Sequence, residues 1–177
     1  MKLYVIRHGQ TDINLYNQIN SLNDDDLNET GIKEAQEVAN KINKINYDFI
    51  ICSPLTRTKH TANIINVKNK RIIIDNRIIE RNAGKLTKAP LSQINKEDWW
   101  SLKPKYDYLD SETVSSVINR IYNFLDDIKQ QYGNNRIIIV THGGVSKVIE
   151  SYFYGIPENG SLQDYKCHNC EIKEYTL

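Results

Sequence analysis

Leu3-Tyr4-Val5-Ile6-Arg7-His8-Gly9-Gln10-Thr11 is the stretch whose reading decides the fold. A continuous apolar run reads as a strand buried on both faces, as in a parallel sheet covered by helices. It stops at a cation, an imidazole and a glycine. Those residues suit an anion at a strand end. A guanidinium donates in bidentate fashion, an imidazole serves as nucleophile or base, and glycine lets the backbone turn sharply. An Arg-His pair beside one strand is common on surfaces, so the reading depends on what the other strands deliver.

Working outward, the first strand spans about Lys2 to Ile6. The polar stretch from Gly9 to Asn28, with Asp24, Asp25 and Asp26, reads as a loop containing a solvated acidic turn. Asn28 is placed to cap a helix whose residues Ile32, Ala35, Val38, Ala39, Ile42 and Ile45 repeat at helical spacing. Tyr47 to Cys52 is the second strand. Ser53-Pro54 reads as an N-cap and a first-position proline for a helix reaching about Ile65. Arg57 falls in its first turn, where a cation opposes the helix dipole. An anion to meet explains that placement, and so does a solvated surface position. Arg71 to Ile74 is a short third strand.

From 81 to 110 the periodicity fails, apart from a short helix expected near Leu91 to Trp100. So long an insertion reads as a functional cover or lid. Lys85, Lys88, Lys96, Lys103 and Lys105 make it locally basic, either to draw in an anion or as solvated surface. Val114, Val117, Ile118, Ile121, Leu125 and Ile128 mark a helix from about Ser111 to Gln131, stopped by Gly133. Arg136 to Thr141 is the fourth strand, with a continuous apolar run from Ile137 to Val140. His142-Gly143-Gly144 breaks it, and a helix carrying Val145, Val148, Ile149, Tyr152 and Phe153 follows. Cys170 to Leu177 alternates as a last, edge strand. The expected fold is α/β, a mostly parallel central sheet covered by helices on both faces. It forms one domain over 1–177 with a lid-like insertion at about 81–110.

A chain of 177 residues suits one domain, and 40% hydrophobic with 25% charged residues describes a soluble globular protein. A formal net charge of +1 gives no basic bias toward nucleic acid. No apolar run approaches the roughly 18 residues that span a bilayer, and Arg7 arrives too soon for a signal-peptide core. A cytoplasmic protein without nucleic-acid or membrane partners is expected. The cysteines are Cys52, Cys167 and Cys170, an odd count that argues against a disulfide framework. Cys167-His168-Asn169-Cys170 has CxxC spacing, but no second CxxC or HxxxH completes a zinc site, so two reduced thiols are the plainer reading. No metal and no cofactor is expected.

Parallel strands bring their carboxyl ends to one edge, where such sheets bind ligands. Four groups lie just past four strand ends: Arg7-His8, Ser53 to Arg57, Glu80, and His142. Surface accidents would not line up in this way. Two guanidiniums together with helix N-termini define a phosphate site. One histidine can attack phosphorus, and one carboxyl can protonate the leaving oxygen. A Walker P-loop and a dinucleotide glycine fingerprint are both absent.

Arg7-His8-Gly9-Gln10-Thr11-Asp12-Ile13-Asn14 resembles the RHGxTxxN signature of the histidine phosphatase superfamily, also called the phosphoglycerate mutase-like family. Leu27-Asn28-Glu29-Thr30-Gly31 is similar to its LTExG helix start, and the run from Ser53 to Ala62 to its SPLxRxxxTA. Glu80-Arg81 stands where the family has its acid, and Val140-Thr141-His142-Gly143-Gly144 resembles its second histidine turn. The resemblance covers nearly the whole chain in order. It implies that His8 is a nucleophile forming a phosphohistidine. Arg7, Arg57 and His142 would hold the phosphoryl group, assisted by Asn14 and the Gly143 amide. Glu80 would protonate the leaving alcohol and then activate water. The implied activity is that of a small phosphatase acting on a small soluble phosphate ester without a metal. Sugar phosphates, nucleotides and a ribazole phosphate are candidate substrates.

The family often continues after its acid as an ERxfGxxEG-like run. Here Gly84 is kept, but Ala83 replaces the aromatic, Thr87 the second acid and Lys88 the second glycine. The usual GES before the long helix reads Asp110-Ser111-Glu112-Thr113, and the first loop lacks the common glycine. These departures bear on substrate choice more than on phosphoryl chemistry. A phosphoglycerate-type mutase is one rival, which the short chain disfavours. An inactive phosphate-binding or regulatory module is another, but it would need the cations and neither nucleophile nor acid. Glu112 competes with Glu80 as the acid, although its place at a helix N-terminus favours an ionised, capping role. His60 reads as a surface residue, His168 before the last strand as one without a role, and Trp99-Trp100 as lid packing ahead of substrate stacking.

Overall fold

The structure, a computed structural model, describes residues 1–177. Its sheet is built from β1 (Lys2–Arg7), β2 (Phe49–Cys52), β3 (Ile72–Ile74), β4 (Arg136–Thr141) and β5 (Ile172–Thr176). The strand order is β3-β2-β4-β1-β5, with the first four parallel and β5 antiparallel on the edge beside β1. The helices are α1 (Asp12–Leu15), α2 (Glu29–Ile42), α3 (Thr56–Ile65), α4 (Lys96–Trp99), α5 (Val114–Tyr132) and α6 (Gly143–Tyr154).

The continuous apolar runs are explained by two cores, because alternate strand residues face opposite sides of the sheet. Leu3, Val5, Ile137 and Ile139 face α5 and α6, meeting Ile121, Phe124, Val145 and Val148. Tyr4, Ile6, Ile50, Ile138 and Val140 face α2 and α3, meeting Ala35, Val38, Ile42, Ala62 and Ile65. The central runs Leu3–Ile6, Ile50–Cys52 and Ile137–Val140 therefore need apolar residues on both faces.

The structure corrects several local expectations. The stretch from Gly9 to Asn28 is not all loop: Thr11 caps α1, accepting from the Asn14 N–H while the Asn14 side chain accepts from Thr11 N–H in return. Ser53-Pro54 does not start α3, which begins at Thr56 with Leu55 at the cap position. Leu55 has no capping side chain, and Asp24 does the work from another loop, accepting from the Thr56 N–H at 2.5 Å and from its hydroxyl at 2.8 Å. The acidic turn is thus used rather than merely solvated: Asp25 pairs with Lys88 at 3.0 Å and Asp26 with His60 at 2.8 Å.

The insertion is ordered. The short helix expected near its middle resolves into a 3-10 turn at Leu91–Gln93 and then α4. Ile19, Ala83 and Trp99 form a small core beneath it, with Leu86, Ile94 and Tyr108 packed around them. Lys85 pairs with Asp110 and Lys88 with Asp25, both at exposed positions, and Lys103 and Lys105 are exposed. The cation that this insertion buries is Arg81, whose guanidinium lies 3.9 Å from the Trp99 ring centroid. Trp99 is therefore packing, as expected, while Trp100 is half-buried. No helix is long and apolar enough to cross a membrane.

Candidate active site

Register sets the site. Arg7 pairs with Thr141 and Cys52 with Val140, so three neighbouring strands end at nearly one level. The ladder runs one step further: His8 N–H donates to Thr141 O at 2.9 Å and Ser53 N–H to Val140 O at 3.1 Å. His8, Ser53 and His142 therefore leave the sheet side by side. The His8 and His142 rings lie edge to face with centroids 5.3 Å apart.

Two glycines let β1 turn so abruptly. A Cβ on Gly9 would stand 2.4 Å from Gly31 O, and one on Gly31 would stand 2.1 Å from Gln10 O. Backbone meets backbone there, so neither position admits a side chain. Thr61 closes the same corner, accepting from the Gly9 N–H at 3.1 Å and donating to Arg57 O at 2.8 Å.

His8 is 1% exposed, and its Nδ1 lies 2.7 Å from Gly9 O. A carbonyl only accepts, so Nδ1 carries the proton and Nε2 keeps its lone pair. Burial, then the Arg57 and Arg7 guanidiniums, hold this ring well below the ordinary 6.5, so it is neutral at physiological pH. His142 is held down in the same way, by burial first and Arg57 next. Its Nε2 lies 2.7 Å from Ser53 Oγ, and its Nδ1 is buried without a partner.

The two arginines are fixed by backbone carbonyls rather than by carboxylates. Arg57 is fully buried, which excludes the solvated reading. Its Nη1 donates to Asn23 O at 2.6 Å and its Nη2 to Ser21 O at 2.7 Å. Burial lowers it to about 10, so it stays charged. Arg7 Nη1 donates to Cys167 O at 2.8 Å. In both residues Nε is buried and unpaired.

Glu80 follows β3 by way of a 3-10 turn at Asn76–Ile78, and Ile78 O accepts from Thr141 Oγ1 at 2.8 Å. Its carboxyl accepts from Arg81 N–H at 2.8 Å and from Gly144 N–H at 3.2 Å. A Cβ on Gly144 would stand 2.4 Å from Glu80 Oε1 and 2.5 Å from the Trp100 ring, so acid and aromatic share the α6 N-terminus. From α5, Arg120 donates to Arg77 O, to Glu80 O and to both Glu112 carboxylate oxygens, which fixes this segment. Burial pushes the Glu112 carboxyl up, but Arg120, the Asn82 N–H and the Ser116 hydroxyl together hold it below the usual carboxylate range. Glu112 is thus committed as an ion pair, and the α5 cap is Thr113.

Asn14 lies beside this cluster. Its Oδ1 accepts from Thr11 N–H, Thr11 Oγ1 and Asn169 Nδ2. Gly143 abuts Arg7: a Cβ there would stand 3.3 Å from Arg7 Nε. Sequence alone marks Ser53 only as the start of a strand-end group and a helix cap, and gives Thr61 and Asn169 no site role. Ser53 and Thr61 lie inside a quoted motif, but Asn169 had no signal, being joined to His8 only through space. His60 and His168 stay outside. The three thiols are free, and no three His, Cys, Asp or Glu side chains cluster to hold a metal ion.

The arrangement is a neutral imidazole with a free lone pair, two fixed guanidiniums, a second imidazole and a carboxyl at a helix N-terminus. It is equipped for phosphoryl transfer. The chain belongs to the histidine phosphatase superfamily, branch 1, whose profile matches residues 3–177, and it is a phosphatase of that superfamily. It is 32% identical to phosphoserine phosphatase 1 of Hydrogenobacter thermophilus over 100% of this chain and 85% of the relative. It is 28% identical to a probable phosphoglycerate mutase, GpmB, of Erwinia tasmaniensis over 97% of this chain and 83% of the relative. In three dimensions it is similar to phosphoserine phosphatase of Entamoeba histolytica, solved with 3-phosphoglyceric acid, with a TM-score of 0.85 and 27% identity. That match covers 98% of this chain and 89% of the other.

Proposed function

We propose that the protein is a metal-independent phosphomonoesterase that works through a phosphohistidine on His8. His8 Nε2 attacks phosphorus in line with the ester oxygen. Arg7, Arg57 and His142 hold the equatorial oxygens, with the Asn14 side-chain amide and the Gly143 N–H assisting. Glu80 delivers a proton to the leaving alcohol, and then takes one from the water that cleaves the P–N bond.

One observation carries this reading. Arg7 Nε, Arg57 Nε and His142 Nδ1 are all buried and unpaired. Buried donors left open are costly unless a ligand satisfies them, and these belong to the residues assigned to the phosphoryl group. For His142 to donate from Nδ1 while neutral, Ser53 must donate to its Nε2, so Ser53 sets the useful tautomer.

The ester is one of a small alcohol. Phosphoserine leads the panel to be tested, because a relative matched over the whole chain and a solved neighbour both carry the name phosphoserine phosphatase. Transfer to a second hydroxyl is the rival reading, favoured by the mutase-named relative. Release of inorganic phosphate in step with consumption of 3-phosphoglycerate would exclude it.

The test uses p-nitrophenyl phosphate with EDTA. Turnover by the wild type and none by His8→Ala is expected, and equal turnover by both proteins overturns the assignment. Glu80→Gln should lower kcat/KM far more for an alkyl phosphate than for p-nitrophenyl phosphate, whose leaving group needs little protonation. Equal losses on both would remove Glu80 as the acid.

A further inference from the structure

The CxxC stretch has no part in the proposed chemistry, yet it wraps the end of β1. Arg7 Nη1 donates to Cys167 O at 2.8 Å, and Cys170 N–H donates to Arg7 O at 3.0 Å. Between them, Asn169 Nδ2 donates to His8 O at 2.9 Å and reaches Asn14 Oδ1 at 3.4 Å. Cys170 sits in the left-handed region, with φ of 54°, which curls the turn back onto Arg7. One four-residue turn thus contacts the nucleophile His8 and two members of the phosphate-binding set, Arg7 and Asn14.

The thiols take no part in these contacts. Both are buried, and burial pushes Cys170 up to about 12 and raises Cys167 as well. A protonated, buried thiol is a poor nucleophile and a poor metal ligand. The turn acts through two backbone groups and one side-chain amide.

We propose that Asn169 is a positioning residue for phosphoryl transfer, and that the 167–170 spacing encodes a backbone clamp rather than a redox or metal motif. This rests on the reading of His8 and Asn14 given above. Holding His8 O fixes the peptide plane between His8 and Gly9, from which the chain runs on to Gly9 O, the carbonyl that His8 Nδ1 bonds. The direction of Nε2 follows from that bond. Holding Asn14 Oδ1, already taken by Thr11, turns the Asn14 NH2 outward as the group left to meet an anion.

The test compares Asn169→Ala, Asn169→Asp, the double variant Cys167→Ala/Cys170→Ala and His8→Ala. Activity is followed with p-nitrophenyl phosphate, and inhibition with orthovanadate. Vanadate mimics the five-coordinate transition state and needs His8 in line, so its inhibition constant reports positioning. Asn169→Ala should lower kcat/KM about tenfold and weaken vanadate by a similar factor. Asn169→Asp keeps the size but sets an acceptor against two oxygens, and should lose more. The double cysteine variant should stay within about twofold of wild type in both readouts. Thermal unfolding of each variant sets an assay temperature at which all are folded.

Wild-type kcat/KM and vanadate inhibition in both Asn169 variants, with His8→Ala inactive, overturns the clamp and leaves the site reading intact. So does a loss in the cysteine variant as large as that in Asn169→Ala. Turnover by His8→Ala instead removes the reading on which the clamp rests.

Discussion

Lowering the pH from about 7.5 to about 5.5 should weaken the fold by roughly 2–3 kcal/mol, through His8 and His142 alone. Burial, then the Arg57 guanidinium, hold both rings well below the ordinary 6.5. The folded protein keeps them neutral through this window, while the unfolded chain takes up a proton on each. Where the unfolded state binds more protons, stability rises with pH, so here it falls as the pH drops below the unfolded value. One pH unit below that value each ring removes about 1.4 kcal/mol, a large share of a typical total of about 5–15 kcal/mol. Lys147, which burial lowers to about 8, adds little slope, because it is mostly charged in both states across this window. Urea unfolding, followed by the fluorescence of Trp99 and Trp100, measures the loss. Saturating orthophosphate should flatten the dependence, because an anion beside the rings favours their protonated forms. Two results would refute the reasoning. One is stability constant to within about 0.5 kcal/mol across the range. The other is an unchanged slope in a His8→Asn/His142→Asn variant.

Other outcomes follow from single contacts. Ser53→Ala leaves His142 Nε2 buried without its 2.7 Å partner. Urea unfolding should show a loss of about 1–3 kcal/mol, and kcat/KM should fall at least about tenfold. Gly31→Ala would drive a Cβ to 2.1 Å from Gln10 O. A loss of about 1–3 kcal/mol is expected in the same assay, with nearly complete loss of turnover because the His8-to-Gln10 turn must shift. Asp24→Ala removes the cap on α3 and should lower stability by about 0.5–2 kcal/mol, while Asp24→Asn, which keeps an acceptor oxygen, should lose less.

Most of the fold was legible because apolar runs and helical stripes dominate it. The apolar runs inside β1 and β4 could only be covered strands, and the α5 stripe could only be an amphipathic helix. Arg7, His8, Arg57 and His142 were legible because a parallel sheet must bring the ends of β1, β2 and β4 together. What escaped was decided by contacts between distant residues. Ser53 looked like a cap because Ser-Pro is a helix-start signal, yet its hydroxyl is taken by His142, and Asp24 from another loop caps α3 instead. Glu80 was found by chain order, but nothing local announces the Arg120 and Gly144 contacts that fix it. The insertion gave no period because it packs on Trp99 and Arg81 rather than on the sheet. Asn169 was invisible for the same reason: its bond to His8 O spans 161 residues of chain.

The central claim is a covalent phosphohistidine on His8, and Glu80→Gln is the protein in which to catch it. With p-nitrophenyl phosphate the first step needs little acid, whereas the second still needs a base to activate water, so the intermediate should accumulate. The reaction is quenched into alkali, where phosphohistidine survives, and the peptides are read by mass spectrometry. A phosphoryl group on His8, abolished in the His8→Ala/Glu80→Gln protein, is the predicted result. Turnover with no phosphoryl group on His8, or with one on another residue, would contradict it.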